Sequence, residues 1–313
     1  MNGADRTVPA LAAAALALFL LGFVLPSWLL YVTTFALAKG IVVLSLLLLL
    51  RAGLVSFGHG LYYALAAYAA GLAANYAGIT DAFVLLALGI VTAAAMAAVL
   101  GLLLARYREI FFAMLSLAFS MILYGILVKT QALGSTDGFG IPRPTFASWA
   151  PSGGAARQTM FALTVAAAFV AMLLLHRYLQ AGLGWLGDAI RENEIRVEYL
   201  GISVRAVVHL NVVISGALAG MGGVLSAFAS GHIDPEMAYW TTSGEFVFVT
   251  LLAGTGHVAA PFIGAFLFEL LRTYALEYAP YTWQMVLGGA MLLVIVFMPR
   301  GLWSLFQNRL LVR

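Results

Sequence analysis

The chain has 313 residues, 63% of them hydrophobic and only 9% charged, with a mean hydropathy of +1.00. Soluble domains carry about 25% charged residues, so no water-soluble fold could cover this much apolar surface. Runs of about 20 apolar residues, the length that crosses a bilayer, recur along the chain, which predicts an all-α polytopic membrane protein; a barrel would alternate in short segments instead.

Hydropathy predicts ten membrane segments, near residues 10–26, 28–50, 54–76, 82–104, 109–129, 158–176, 207–230, 242–255, 258–278 and 282–299. Arg6 followed by the apolar run Ala10 to Leu25 resembles a leader peptide. No small-residue cleavage site followed by a soluble domain is visible, so the run reads as a retained first span. Pro26-Ser27 separates the first two segments, residues 75–81 the third and fourth, and Arg106-Tyr107-Arg108 the fourth and fifth. The longest polar loop, 130–158, is rich in Gly, Pro and Ser. A charged segment, 179–205, follows the sixth span. The eighth is short enough to be broken or re-entrant, and Gly254-Thr255-Gly256-His257 links it to the ninth.

With the N-terminus inside, Arg6, Arg51, Arg106, Arg108, Arg177, Arg191, Arg196, Arg205, Arg300, Arg309 and Arg313 fall in the cytoplasm. Lys129, Arg143, Arg157 and Arg272 fall outside, and Lys39 lies mid-span. This positive-inside bias places 130–158 externally and 179–205 in the cytoplasm, within a single membrane domain over 1–313. It also accounts for a pI near 9.2 without nucleic acid. Ten spans divide into five plus five, and the glycine-rich runs Gly53 to Gly71 and Gly216 to Gly231 then face opposite ways, as an inverted repeat predicts.

Four stretches could carry function. In Arg51 to Gly71, Ser56, His59, Gly60 and Tyr63 fall at i, i+3, i+4 and i+7, on one helix face. Small residues there permit close helix approach, and glycines 53, 58 and 60 favour a loosened or re-entrant start. A hydroxyl, an imidazole and the phenols of Tyr62 and Tyr63 in hydrocarbon suit a path for an amphipathic solute. The plainer alternative is that His59 bonds a neighbouring helix and only holds packing. In the charged segment, four acids (Asp188, Glu192, Glu194, Glu198) and three arginines (Arg191, Arg196, Arg205) crowd together. Residues 188–199 suit a short amphipathic helix, with Glu192 and Arg196 as an i,i+4 pair. Ile190, Val197 and Leu200 form its apolar stripe, and Gly201 ends it. A connector needs only a few residues, so a docking site for a cytoplasmic partner is the stronger reading. Residues 133–144 carry turn chemistry at Asp137-Gly138 and Pro142; a flexible external loop is the default, long enough to meet an external partner. Glu245 and Glu269 fall within apolar runs, where proton coupling is one reading and a cap or interhelical hydrogen bond the plainer one. Glu245 follows Thr241, Thr242 and Ser243, which favours a helix-start role.

The chain has no cysteine, which excludes disulfides and thiolate metal sites. It has no GxxxxGK[ST], no HExxH and no nucleophile elbow. ATP hydrolysis, if transport needs it, therefore belongs to another subunit.

The segment GLVSFGHGLYYALAAYAAG resembles the G-x-x-S-x-G-H segment of the branched-chain amino acid ABC importer permeases, LivM-like rather than LivH-like. LGSTDGFGIP resembles that family's outer loop, and AIRENEIRVEYLGISV its cytoplasmic segment. ISGALAGMGGVL, the Glu245 segment, GTGHVAAPFIGAFLFELL and MPRGLW follow in order, so the likeness runs from about residue 40 to 303. Lys39, Arg51, Arg196-Val197-Glu198, His257 and Ala259-Ala260 depart from the family pattern.

The resemblance implies the membrane half of a type II-like ABC importer in a bacterial or archaeal cytoplasmic membrane. Its partners would be ATP-binding subunits holding ATP and Mg, a second homologous permease and an external solute-binding protein; this chain would bind no cofactor, metal or nucleic acid and would be no enzyme. Ala189, Arg191, Glu192, Asn193, Glu194 and Gly201, with Glu198 beside them, would form the coupling helix seated on an ATPase. Ser56, Gly58, His59, Tyr62 and Tyr63 would line the path, and Asp137, Gly138 and Phe139 would meet the binding protein. Branched-chain or other hydrophobic amino acids are the expected substrates, with urea, short amides or small carboxylates as the alternative. From other classes, a proton-coupled secondary transporter would use Glu245 or Glu269, and a structural assembly subunit would tolerate polar substitutions along 53–71.

Overall fold

The computed structural model describes residues 7–147, 149–298 and 301–305. Arg6, Arg300, Arg309 and Arg313, and the Pro-Arg pair of MPRGLW, lie outside the described residues.

Among the described residues the chain forms eleven α-helices: α1 (Thr7–Leu21), α2 (Ser27–Arg51), α3 (His59–Tyr76), α4 (Ala82–Leu104), α5 (Glu109–Lys129), α6 (Gly153–Gln180), α7 (Gly182–Tyr199), α8 (Val204–Ser230), α9 (Trp240–Ala253), α10 (Ala260–Tyr278) and α11 (Trp283–Phe297). Five of them (α2, α4, α5, α6 and α8) are long and apolar enough to cross a membrane, where hydropathy predicted ten segments. The difference has physical causes. Helix α9, at 14 residues, reaches only about 21 Å at ~1.5 Å per residue, short of the ~30 Å hydrocarbon core. Helix α10 carries Glu269, Arg272 and Glu277, and α1 and α11 have 15 residues each.

Helix ends follow local chemistry. Asp81 caps α4, its carboxylate accepting from the Phe83 and Val84 N–H groups. Ser203 caps α8 through the Ala206 N–H, and Gly231 closes α8 in the left-handed region at φ 70°.

Helix α8 is the hub. It runs antiparallel to α2, with Gly222 against Ala38 and Val42 and Ser215 against Ser45. It also runs antiparallel to α4, where Gly216 and Gly220 meet Ala97 and Ala93. Against α3, Gly223 rests on the Tyr63 carbonyl so closely that no Cβ fits. Small residues replace side-chain interdigitation by backbone approach, the usual packing currency between helices in lipid.

Two short helices begin in the interior rather than at an end of the bundle. Residues 52–58, after α2, are non-helical, with Gly53 at φ 74°. Residues 231–239, after α8, hold only a two-residue strand and a short 3-10 turn, 235–238. The starts of α3 and α9 then meet, the Gly60 N–H donating to Ser243 Oγ at 2.9 Å. Ser120 of α5 donates to the Ala238 carbonyl at 2.8 Å beside them.

At one end of the bundle, the loop after α5 is pinned rather than loose. Strand β1 (Phe139–Gly140) pairs antiparallel with β2 (His232–Ile233). Thr145 exchanges backbone bonds with residues 80 and 82, at 2.8 Å each. At the opposite end α7 lies across the ends of α2, α6 and α8.

Candidate functional site

Four places gather the residues singled out by sequence. The first is the interior where α2, α3 and α8 meet. Ser56, Gly58, His59, Tyr62 and Tyr63 are all buried. Ser56 does not share a helix face with His59, because α3 starts only at His59 and Gly58 stands at its N-cap. It reaches His59 by a hydrogen bond instead, Oγ to Nδ1 at 3.1 Å, and accepts from the Gly58 N–H at 3.2 Å. His59 Nε2 lies 2.7 Å from Ser215 Oγ, whose single proton goes to the Ser45 carbonyl at 2.9 Å. Ser215 must then accept from Nε2–H, which in a neutral imidazole leaves Nδ1 to accept from Ser56. The imidazole thus completes an unbroken chain of bonds linking α2, α3 and α8. The Tyr62 ring stands edge-on to His59 at 6.2 Å, and Tyr63 meets Phe246 of α9 at 5.3 Å.

The second place was visible in the sequence only as separate charges. Lys39 of α2, 5% exposed, lies with Nζ 2.6 Å from an oxygen of Glu245 on α9 and 2.6 Å from one of Glu269 on α10. Arg272 of α10 adds contacts of 3.5 Å to Glu245 and 3.9 Å to Glu269. Aromatic faces complete the cluster, Phe35 under Lys39 at 5.0 Å and Trp283 under Arg272 at 5.4 Å. The four charges sum to zero, which is the condition for keeping them in an apolar interior. Glu245 is no helix-start residue: it is the sixth residue of α9, and its carboxylate crosses to α2. In the sequence the four stand apart: Glu245 and Glu269 within apolar runs, Lys39 mid-span and Arg272 among the external arginines.

The third place is α7. Its helix breaks at Asn193 (φ −161°, ψ 98°), and the Asn193 side chain caps the next turn by accepting from the Arg196 N–H at 3.0 Å. The break falls between Glu192 and Arg196, so the expected i,i+4 pair is not among the ion pairs that form. Ile190 and Val197 are buried as the stripe requires, but Leu200 is 77% exposed because the helix ends before it and Gly201 turns away at φ 79°. Ile195 and Tyr199 are exposed too, Tyr199 at 86%. Arg108, in the α4–α5 turn, grips Glu194 with two bonds of 2.8 and 2.9 Å, from Nε and Nη2, and holds the Ala105 and Tyr107 carbonyls with Nη1. The Arg191 stem lies over Gly53, just past the end of α2. Ala189 is half-buried, and among the described residues Asp188, Arg191, Glu192, Arg196 and Glu198 have no ion-pair partner.

In the pinned loop, Asp137 is exposed while the Phe139 ring packs edge-on against Tyr68 at 5.4 Å. Gly138 sits in the left-handed region at φ 66°, where a Cβ would strike the Ile233 carbonyl. Asp81, also at this end, accepts from the Val84, Ala147 and Phe83 N–H groups, which hold its carboxyl below the usual carboxylate range. Among the described residues no group of His, Asp and Glu is arranged to hold a metal ion.

The chain is 30% identical over 280 residues to the high-affinity branched-chain amino acid transport system permease protein LivM of Escherichia coli K12. It is 29% identical over 280 residues to the protein of the same name from Salmonella typhimurium LT2. Each alignment covers 82% of this chain and 65% of the relative, so the chain spans just under two thirds of the length of the curated relatives it matches. No solved structure matches. Residues 28–296 match the family described as "Branched-chain amino acid transport system / permease component", and the chain, a multi-pass helical membrane protein, belongs to that family.

Proposed function

We propose that this chain is the membrane-spanning permease subunit of an ATP-driven ABC importer for branched-chain or other hydrophobic amino acids. The observation that carries the reading is α7: a broken, charged, largely exposed helix tied to the α4–α5 turn by Arg108 and Glu194, while five neighbouring charges lack ion-pair partners among the described residues. Such a surface suits the groove of an ATP-binding subunit that carries ATP and Mg. Ala189, Arg191, Glu192, Asn193, Glu194, Glu198 and Gly201 form the contact, and segment 179–205 lies in the cytoplasm. Loop 130–158 lies outside, where Asp137, Gly138 and Phe139 receive a solute-binding protein. A second, homologous permease completes the membrane core.

Ten crossings in a type II-like arrangement with an inverted repeat are part of the same reading. Its support is the meeting of α3 and α9: each follows a long helix and a non-helical run, and the two runs enter from opposite ends. ATP-driven closure of the partner dimer moves α7 as a lever. The small-residue contacts of α8 then repack, opening a path along Ser56, Gly58, His59, Tyr62 and Tyr63, which are closed off here. Glu245 and Glu269 are accounted for by Lys39 and Arg272, so charge pairing explains them without proton coupling.

The test is affinity capture of the chain from gently solubilised membranes, with the accompanying subunits identified by mass. An ATP-binding protein that is lost on reversing Arg191 and Glu192 supports the importer. A lone permease with robust proton-driven uptake in vesicles overturns it.

A further inference from the structure

At the end of the bundle carrying β1 and β2, a cavity of about 490 Å³ opens between the ends of α2, α6 and α8 and the pinned loop. That size is in the range of small-molecule sites, roughly 300–1,000 Å³. Leu30, Met160 and Phe228 supply apolar wall, Tyr31, Thr34 and Ser230 bring hydroxyl-bearing side chains, and Arg143 and Arg157 supply two cations. Neither arginine has an acidic partner among the described residues, and no lining residue is acidic. Two carboxylates stand near the site and both are engaged: Asp81, beside the rim, accepts from three backbone N–H groups, and Glu269, whose charge reaches the lining residue Tyr31, is held by Lys39. Arg157 stands in the first turns of α6, a 28-residue helix whose N-terminus adds positive potential to the same spot. The rim is built: backbone bonds at 2.8 Å hold Thr145 to residues 80 and 82, and Ala147 N–H donates to Asp81 at 2.9 Å.

A chain with a positive-inside bias gains nothing in topology from cations at this end. Two unpaired guanidiniums over an apolar wall instead match a ligand with one anionic group and an apolar body. Guanidinium binds carboxylate through paired N–H donors, a geometry an ammonium cannot supply.

We propose that this cavity is an entry site for small monocarboxylates with an apolar tail, reading the carboxylate end of the solute and leaving an ammonium group, where there is one, in water at the mouth. The inference rests on the importer reading for its biological meaning, though not for its chemistry. It makes a distinction the reading alone does not. A branched-chain amino acid and its des-amino analogue should bind alike, and the corresponding amine should not bind.

The experiment uses the full chain, purified with whatever subunits accompany it and placed in phosphatidylcholine nanodiscs. Binding is measured for leucine, 4-methylpentanoate and isoamylamine, to the parent and to the Arg143→Gln/Arg157→Gln variant. Both arginines are exposed, so the variant should keep the parent's melting temperature, which is checked in the same samples. Leucine and 4-methylpentanoate should bind within a factor of a few of each other, isoamylamine at least tenfold more weakly, and the variant should lose at least tenfold for both carboxylates. An Arg143→Lys/Arg157→Lys variant, which keeps charge without the fork, should fall between. Equal binding of the amine, or unchanged binding by the Gln variant, overturns the proposal. So does complete displacement of both carboxylates by added phosphatidylglycerol, which would make the site one for lipid phosphate. Amino acid import that persists while 4-methylpentanoate fails to bind removes this inference alone. Carboxylate binding in a complex that imports no amino acid leaves the inference standing and removes the proposed substrate.

Discussion

The membrane interior and the α7 surface treat charge in opposite ways. In the interior, Lys39, Glu245, Glu269 and Arg272 close on one another, and His59 gives and receives its bonds through Ser56 and Ser215. On α7 a comparable density of charge is left open, with Glu194 alone in an ion pair among the described residues. The difference follows from solvent. A charge in hydrocarbon without a partner is too costly to keep, whereas a charge in water loses little by waiting for one. Pairing inside therefore reports what the fold needs, and under the proposed function the unpaired charge of α7 reports what a partner needs.

The sharpest way to break this contrast is to open the interior cluster. Lys39→Met leaves Glu245 and Glu269 facing each other with Arg272 alone between them. A cost of about 3–5 kcal/mol is expected for stranding a buried charge, read as loss of monodisperse permease and a lowered unfolding temperature. Adding Glu269→Gln to Lys39→Met restores neutrality and should recover much of the loss. A single variant as stable as the parent would show that the cluster is wet, and the contrast would fail.

Gly223→Ala probes the interior by volume instead of charge. Its new Cβ meets the Tyr63 carbonyl, a backbone atom that cannot turn aside. Overpacking of this kind costs about 1–3 kcal/mol. The expected result is a lower melting temperature with α3 displaced from α8; Gly244→Ala, with open space around it, is the matched control.

At α7 the expected stability effects are smaller and the functional ones larger. Arg108 and Glu194 are partly exposed, so Glu194→Gln should cost only about 0.2–1 kcal/mol. It frees α7 from the α4–α5 turn, and transport per ATP should fall well beyond that stability change. Proportionate loss of both would return Glu194 to a purely structural role.

The smallest effect concerns Asp81. Its carboxyl is held below the ordinary range by the N–H groups of Val84, Ala147 and Phe83. A group whose pKa is depressed on folding contributes stability above its unfolded value, near 3.9, and loses it as pH falls through the folded one. Protection of the Val84 and Ala147 amides from hydrogen exchange should therefore be steady at neutral pH and fall only below about pH 4. Asp81→Asn, which cannot ionise, should abolish that dependence.

Much of this architecture is legible in the amino-acid sequence. Apolar runs locate ten of the eleven helices, and the density of charge over residues 188–205 locates α7. What hydropathy does not supply is depth. Residues 54–58 are apolar enough to read as helix, yet Gly53 and Gly58 let the backbone run non-helically, so α3 starts at His59 and Ser56 leaves its face. Pairing across sequence distance is equally hidden: Ser215 is 156 residues from His59, and Glu245 is 206 from Lys39. The kink at Asn193 escapes a reading by residue type because Asn is tolerated in helices, and only the cap it makes for Arg196 reveals why the chain breaks there.

The central claim is that the open charges of α7 transmit work from an ATP-hydrolysing partner. The most direct measurement is import and ATP hydrolysis, recorded together in liposomes holding the whole complex with Arg191→Glu/Glu192→Arg in this chain. The account predicts a stably folded permease, continued hydrolysis and at least a tenfold fall in solute imported per ATP. Import at the parent's ratio would contradict it.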